Sequence, residues 1–162
     1  MAQITDLETF RAFWRDEIVA RTPLLNGFTE LANNEAYDTI KGDGITSPFM
    51  VLLQPEFRTI DNRTINVQRS VDFGFFILKA AEFKGDNAEI KTIQNDCFSI
   101  CEQIIGRLDY LNEEKEFFGK YHATNTQYEE VGGLFGGNHY GVQCFGQFIT
   151  YDSIRHNAAN WI

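Results

Sequence analysis

The segment from residue 64 to residue 80 alternates with a period of two, and this constrains the fold more than any other feature of the chain. Ile65, Val67, Val71, Phe73, Phe75 and Ile77 share one face, while Asn66, Gln68, Ser70 and Asp72 share the other. Arg69 alone interrupts the apolar side. Only an extended chain sorts residues in this way, so the segment predicts a strand, and one longer than most strands of globular domains. Such a strand projects beyond the core, and the expected end is the more polar one near Asp61 and Asn62. A second apolar run, Phe49–Leu53, lies upstream across Pro55 and the polar stretch around Asp61 and Asn62. The two runs read as a long β-hairpin.

Helical periodicity flanks this hairpin. Thr5 and Glu8 have the spacing of a capping box, and Leu7, Phe10, Phe13, Trp14 and Ile18 fall on one stripe, predicting a helix over 5–21. Thr22-Pro23 stops it, because proline disfavours a helical residue before it. Asp86 and Glu89 repeat the capping spacing ahead of Ile90, Ile93, Cys97, Ile100, Cys101, Ile104, Leu108 and Leu111, predicting a central core helix over 87–112. Phe98 and Ile105 widen its apolar face. Residues 22–47, rich in Asn, Gly and Asp, read as mostly irregular, with a short helix or turn within Phe28–Tyr37. Two closing strands are expected, one at Lys120–Val131 with weak alternation and one at Tyr140–Tyr151 with apolar residues on both faces. The Gly-rich segment between them carries Leu134 and Phe135 and reads as a flexible hairpin loop. The order is α-β-β-α-β-β. It predicts a single α+β domain over 1–162, a mainly antiparallel sheet whose long hairpin packs on the N-terminal and central helices.

Charge narrows the function. The net charge is −9, from 14 basic and 23 acidic residues. Binding to DNA replaces condensed counterions with Lys and Arg, so sequence-specific nucleic-acid binding is not expected. An acidic surface suits a protein that lets DNA pass without adhering, and equally suits an ordinary soluble protein. Three cysteines, an odd and low number, argue against a disulfide framework and for a reducing compartment. The N-terminal segment MAQITDLETF lacks the character of a signal peptide, and no stretch approaches 18 apolar residues, so no membrane span is expected.

No catalytic, cofactor or metal site emerges from the motifs. His122, His139 and His156 have no metal-ligand spacing, and no CxxC occurs. Cys97 and Cys101 lie on the apolar stripe of one helix, where a thiol acts as a small hydrophobe. The run Gly132-Gly133-Leu134-Phe135-Gly136-Gly137 is followed by Asn138, His139 and a strand, where a phosphate loop needs Lys-Ser/Thr and a helix. Ser99, Cys144 and Ser153 sit in no nucleophile elbow. Glu113, Glu114 and Glu116, like Glu129 and Glu130, lie in polar segments and read as solvated charge. We therefore expect no enzyme and no cofactor.

The element order resembles the tail-terminator and head–tail neck connector proteins of tailed phages. The matching pieces are the capped N-terminal helix, PFMVLL leading through Asp61-Asn62 into INVQRSVDFGFFIL, the helix Ile90–Leu111, and the strand GVQCFGQFITY. The resemblance covers nearly the whole chain as topology. It implies a virion structural protein, made in the host cytoplasm, that assembles into a homo-oligomeric ring of hexameric size or larger. Other tail or neck proteins would be its partners. It would place Arg58, Asp61, Asn62 and Arg63 of the hairpin at a subunit interface. It would make Leu134, Phe135, Trp161 and Ile162 apolar anchors for partners. Glu113, Glu114 and Glu116 would be candidates for an acidic lining of a DNA conduit.

Two other classes compete. One is a small-ligand-binding or enzymatic α+β domain, with Phe73, Phe75, Phe145 and Phe148 as pocket walls and Asp72, His122 or His139 as polar groups. The other is a cytoplasmic adaptor that binds proteins without forming rings.

Overall fold

The computed structural model describes residues 4, 6–31, 45–60, 67–82, 86–114, 120–121, 125–134 and 137–152. These form an α+β domain in which two helices cover one face of a mixed, mainly antiparallel sheet.

The first helix, α1 (Leu7–Ala12), continues through a π turn (Phe13–Ile18) into a 3₁₀ turn (Val19–Arg21). Its cap is Asp6, one residue beyond the expected Thr5. Asp6 Oδ1 accepts from the Thr9 backbone N–H at 2.8 Å, and Thr9 Oγ1 accepts from the Asp6 N–H at 3.1 Å. A carboxylate at the positive end of the helix dipole explains the choice of Asp6. The π turn brings Phe13 and Ile18 onto one side, so Phe10, Phe13, Trp14 and Ile18 are all buried. Thr22 closes the helix by donating its hydroxyl to the Ile18 carbonyl at 2.8 Å.

The strands are β1 (Gly27–Glu30), β2 (Phe49–Leu52), β3 (Glu56–Ile60), β4 (Val67–Ala80), β5 (Lys120–Tyr121), β6 (Gln127–Leu134) and β7 (His139–Asp152). The centre of the sheet is the antiparallel pair β4 and β7, in register from Val67↔Asp152 to Ala80↔His139. On the outer edge of β4, β2 and β3 pair in succession, so the expected hairpin exists but its first arm is broken. Pro55 sits at the break, where a residue without an N–H cannot serve a ladder. β5 and β6 line the other edge of β7 in the same way, splitting the strand expected over Lys120–Val131.

Two further expectations are revised. Gly27–Glu30, within the segment read as irregular, is a strand that pairs parallel with β2. The Gly-rich run is not wholly a loop, because Gly132 pairs with Tyr140 and a bulge follows between Gly132 and Leu134. Gly133 in that bulge has φ +72, a conformation that a residue with a Cβ rarely adopts.

The second helix, α2 (Asn87–Glu113), matches its predicted span. Asp86 caps it through the Ala88 and Glu89 N–H groups, and Glu89 Oε1 accepts from the Glu82 N–H at 2.7 Å. Ile93, Cys97, Ile100, Cys101, Ile104, Ile105, Leu108 and Leu111 are buried against the sheet. Full burial of each large aliphatic side chain contributes about 1.5–3 kcal/mol before entropic costs.

Between helices and sheet lies an aromatic core. Trp14 is 5.2 Å, centroid to centroid, from both Phe73 and Phe75, and Phe73 stacks on Phe148 at 4.5 Å. The pairing places Phe73 opposite Gly146 and Phe145 opposite Gly74. A Cβ on Gly146 would stand 2.3 Å from Phe73 Cζ, and one on Gly74 would stand 3.0 Å from Phe145 Cδ1. Two phenylalanines thus lean over two glycines on opposite faces of one ladder, and each ring occupies the space a side chain would need.

Candidate functional surface

The face of the sheet away from the helices changes character along its length, and cross-strand register sets the change. At one end, Phe49 faces Leu78 and Val51 faces Phe76. These four and Leu31 form a second buried cluster, with Ile45, Leu53, Val131 and Leu134 packed against it. At the other end, Glu56 faces Asp72, Arg58 faces Ser70, and Asp72 faces Gln147. The same alternation that buries Val71, Phe73 and Phe75 against the helices puts these polar groups on the opposite face. There Glu56 and Arg58 are exposed, Asp72 and Gln147 half-buried and Ser70 buried.

The polar end is a connected network across three strands. Asp72 Oδ1 accepts from Gln147 Nε2 at 2.7 Å and from Ser70 Oγ at 3.1 Å. Asp72 Oδ2 lies 3.4 Å from Arg58 Nε. Arg58 also grips Glu56 with two bonds, at 2.9 and 3.0 Å. Hydrogen bonding by Arg58 holds the Glu56 carboxyl below its ordinary pKa and raises the guanidinium above its own. Beside this network opens a shallow groove of about 590 Å³, lined by Asp72, Phe73, Asn125, Gln127, Phe145, Gly146 and Gln147.

Two other concavities occur among the described residues. One, of about 440 Å³, lies between the Pro23–Asn26 segment, Pro48, Lys79 and the first half of α2, with a Lys79–Asp96 ion pair at 3.1 Å on its rim. The other, of about 190 Å³, lies at the β6 edge. There Phe98 and Tyr128, 38% and 37% exposed, meet with ring centroids 5.0 Å apart.

The phenylalanines expected to wall one pocket are divided. Phe73, Phe75 and Phe148 are buried in the core, while Phe145 stands on the opposite face and is 37% exposed. Among the described residues, these three rings fill the interior between the helices and the sheet instead of walling a pocket. Phe73 and Asp72 do reach the rim of the open groove beside Phe145. His139 opens β7 with its ring 5.5 Å from Phe49. His122 and His156 lie outside the described residues.

Arg58 is exposed on β3 and tied to the network just described. Asp61, Asn62 and Arg63 lie outside the described residues, as do Phe135, Trp161, Ile162 and Glu116. Leu134 ends β6 and packs on the second apolar cluster. Glu113 and Glu114 are exposed at the end of α2, whose last turn carries no basic residue. Carboxylates there oppose the helix dipole at a cost of about 0.3–1 kcal/mol each.

The cysteines are free and buried, and loss of hydration pushes the Cys97 and Cys144 thiols up to about 12 and Cys101 upward as well. None is poised as a thiolate nucleophile at neutral pH. Among the described residues, no group of His, Cys, Asp and Glu could hold a metal ion, and no helix is long and apolar enough to cross a membrane. The buried Trp14 Nε1 and Arg107 Nε have no hydrogen-bond partner among the described residues. Trp14 is enclosed by aromatic rings, and Arg107 lies over the Tyr110 ring at 5.3 Å.

No family model matches the chain, and no curated protein is significantly similar to it. Sequence reasoning had placed Asp72 on the polar side of the long strand but missed the network and groove. Their partners come from segments 75 residues apart in sequence, as in Asp72 and Gln147, and only register joins them.

Proposed function

We propose that this chain is a structural subunit of a phage tail or neck, a tail-terminator or connector-like protein that forms a ring around a DNA conduit. The observation that carries the reading is the broken hairpin β2/β3–β4. Its base, β2, is buried throughout, whereas Glu56, Arg58 and Thr59 of β3 are exposed at its far end. β4 stays paired to β7 along its whole described length, so the arm offers a neighbour its outer strand β3, an exposed sheet edge carrying Glu56, Arg58 and Thr59. The expected elements occur in the expected order, with the parallel strand β1 and the strand β3 added and the strand expected over Lys120–Val131 split in two.

The arm and the opposite sheet edge, β5/β6, are different surfaces of one chain. A contact between unlike surfaces is heterologous, and it closes into a ring when its rotation permits. The acidic balance of the chain and the exposed Glu113 and Glu114 suit a lumen that repels phosphate. Such a subunit needs no catalytic group, and its partners are further copies and other tail or neck proteins in the virion.

Negative-stain microscopy of the purified chain and of Arg58→Glu tests this. The reading predicts closed rings for the parent chain and their loss in the variant, with circular dichroism unchanged. Rings that persist in Arg58→Glu would remove the arm from the interface.

A further inference from the structure

We infer that the groove beside Phe145 binds a neutral polyhydroxylated ligand, a sugar ring. The inference does not depend on the assembly reading. The groove offers three kinds of group: the partly exposed Phe145 ring, the side-chain amides of Asn125, Gln127 and Gln147, and the Asp72 carboxylate. Register fixes the layout. Gln127 faces Phe145 across one ladder, and Asp72 faces Gln147 across the next. Gly74 beneath Phe145 lets the ring lean over the sheet.

Other ligand classes fit poorly. An anion would meet a chain of net charge −9 and, among the described residues lining the groove, no cation, while the nearby Arg58 is engaged by Glu56 and Asp72. A cation would need an open carboxylate, yet Asp72 already accepts from Gln147 and Ser70 and faces Arg58. A wholly apolar ligand would strand the amides without partners. A hydroxyl both donates and accepts, as a side-chain amide does, so a ring of hydroxyls matches Asn125, Gln127 and Gln147 without any charge. The C–H face of a sugar is apolar and weakly positive, and packs on the negative face of an aromatic ring. The volume, about 590 Å³, suits a small ligand. Gln147 is held at 2.7 Å by Asp72, which leaves its Oε1 as an acceptor of fixed position.

The test is amide-resolved NMR titration of the full chain with glucose, galactose, mannose, N-acetylglucosamine and maltose, with adenosine as a competing class. Expected are shifts for Gln127, Phe145, Gly146 and Gln147 with at least one sugar. Phe145→Ala and Gln127→Ala should each raise its Kd about tenfold. Both side chains are exposed, and the remaining resonances report whether each variant keeps the fold. The proposal is overturned if no sugar moves these resonances, if the shifts survive in both variants, or if adenosine alone produces them.

Discussion

The two ends of the sheet face opposite the helices share the central strand β4, yet one is a second core and the other carries a polar network. At the apolar end, Phe76 is 3% exposed and packs with Phe49, Val51 and Leu78. Four residues back along β4, Asp72 occupies the same face and gathers Arg58, Ser70 and Gln147. Backbone pairing is continuous through both. The difference lies in the side chains of β4 and in the segments that flank them, β2 with Leu31 and Ile45 at one end and β3 at the other. It shows that one strand can be buried on both faces at one end and carry a half-buried polar network at the other.

The largest effect should come from cutting the apolar end. Phe76→Ala should cost about 3–5 kcal/mol in urea unfolding, as expected for a large ring lost from a packed site. Phe145→Ala, one ladder position from Asp72 on the same face, should cost less than half as much. Similar losses at both positions would erase the distinction drawn here. Next is Gly146→Ala. Its Cβ would collide with the Phe73 ring, and overpacking of this kind costs about 1–3 kcal/mol. A neutral result would mean that the ring has room to move.

Smaller still is Asp72→Asn, which keeps the shape but weakens the pairing with Arg58. Because this pair is substantially exposed, the loss should stay within about 1 kcal/mol. The effect on sugar titration should exceed the effect on unfolding.

Acid and alkali should separate the two faces. The Glu56 pKa is lowered by Arg58, so its small stabilisation is present above its unfolded pKa and is lost as pH falls through the folded value. On the covered face the shifts run the other way for acids kept neutral. Tyr121 is raised to about 12 by burial, and Cys97 and Cys144 likewise reach about 12. In the unfolded chain these groups ionise first, so stability should fall as pH rises above the unfolded thiol pKa. The slope is at most about 1.4 kcal/mol per pH unit for each group. Urea midpoints measured from neutral to alkaline pH check this. A flat profile would contradict burial of these groups.

Much of this architecture was legible in the chain itself. β4 and α2 announce themselves through long, unbroken periodicity, and the capping spacing of Asp86 and Glu89 marks where α2 begins. β1 was hidden because a four-residue parallel edge strand, Gly27–Glu30, carries too few residues to show a period. The cap at Asp6 was displaced by one residue because Thr5 and Asp6 both present suitable oxygens. The polar network was invisible for a deeper reason. Asp72, Arg58 and Gln147 meet only when three strands are in register, and alternation reveals which face a residue takes but not its neighbour. The division of the phenylalanines, by contrast, is legible in the chain, since Phe145 and Phe148 take opposite faces of their strand by the parity of their positions.

Native mass spectrometry of the purified chain tests the assembly claim most directly. The account predicts a closed ring of identical chains, with Arg58→Glu reduced to subunits of folded mass. A strict monomer at every accessible concentration, unaltered by Arg58→Glu, would contradict it.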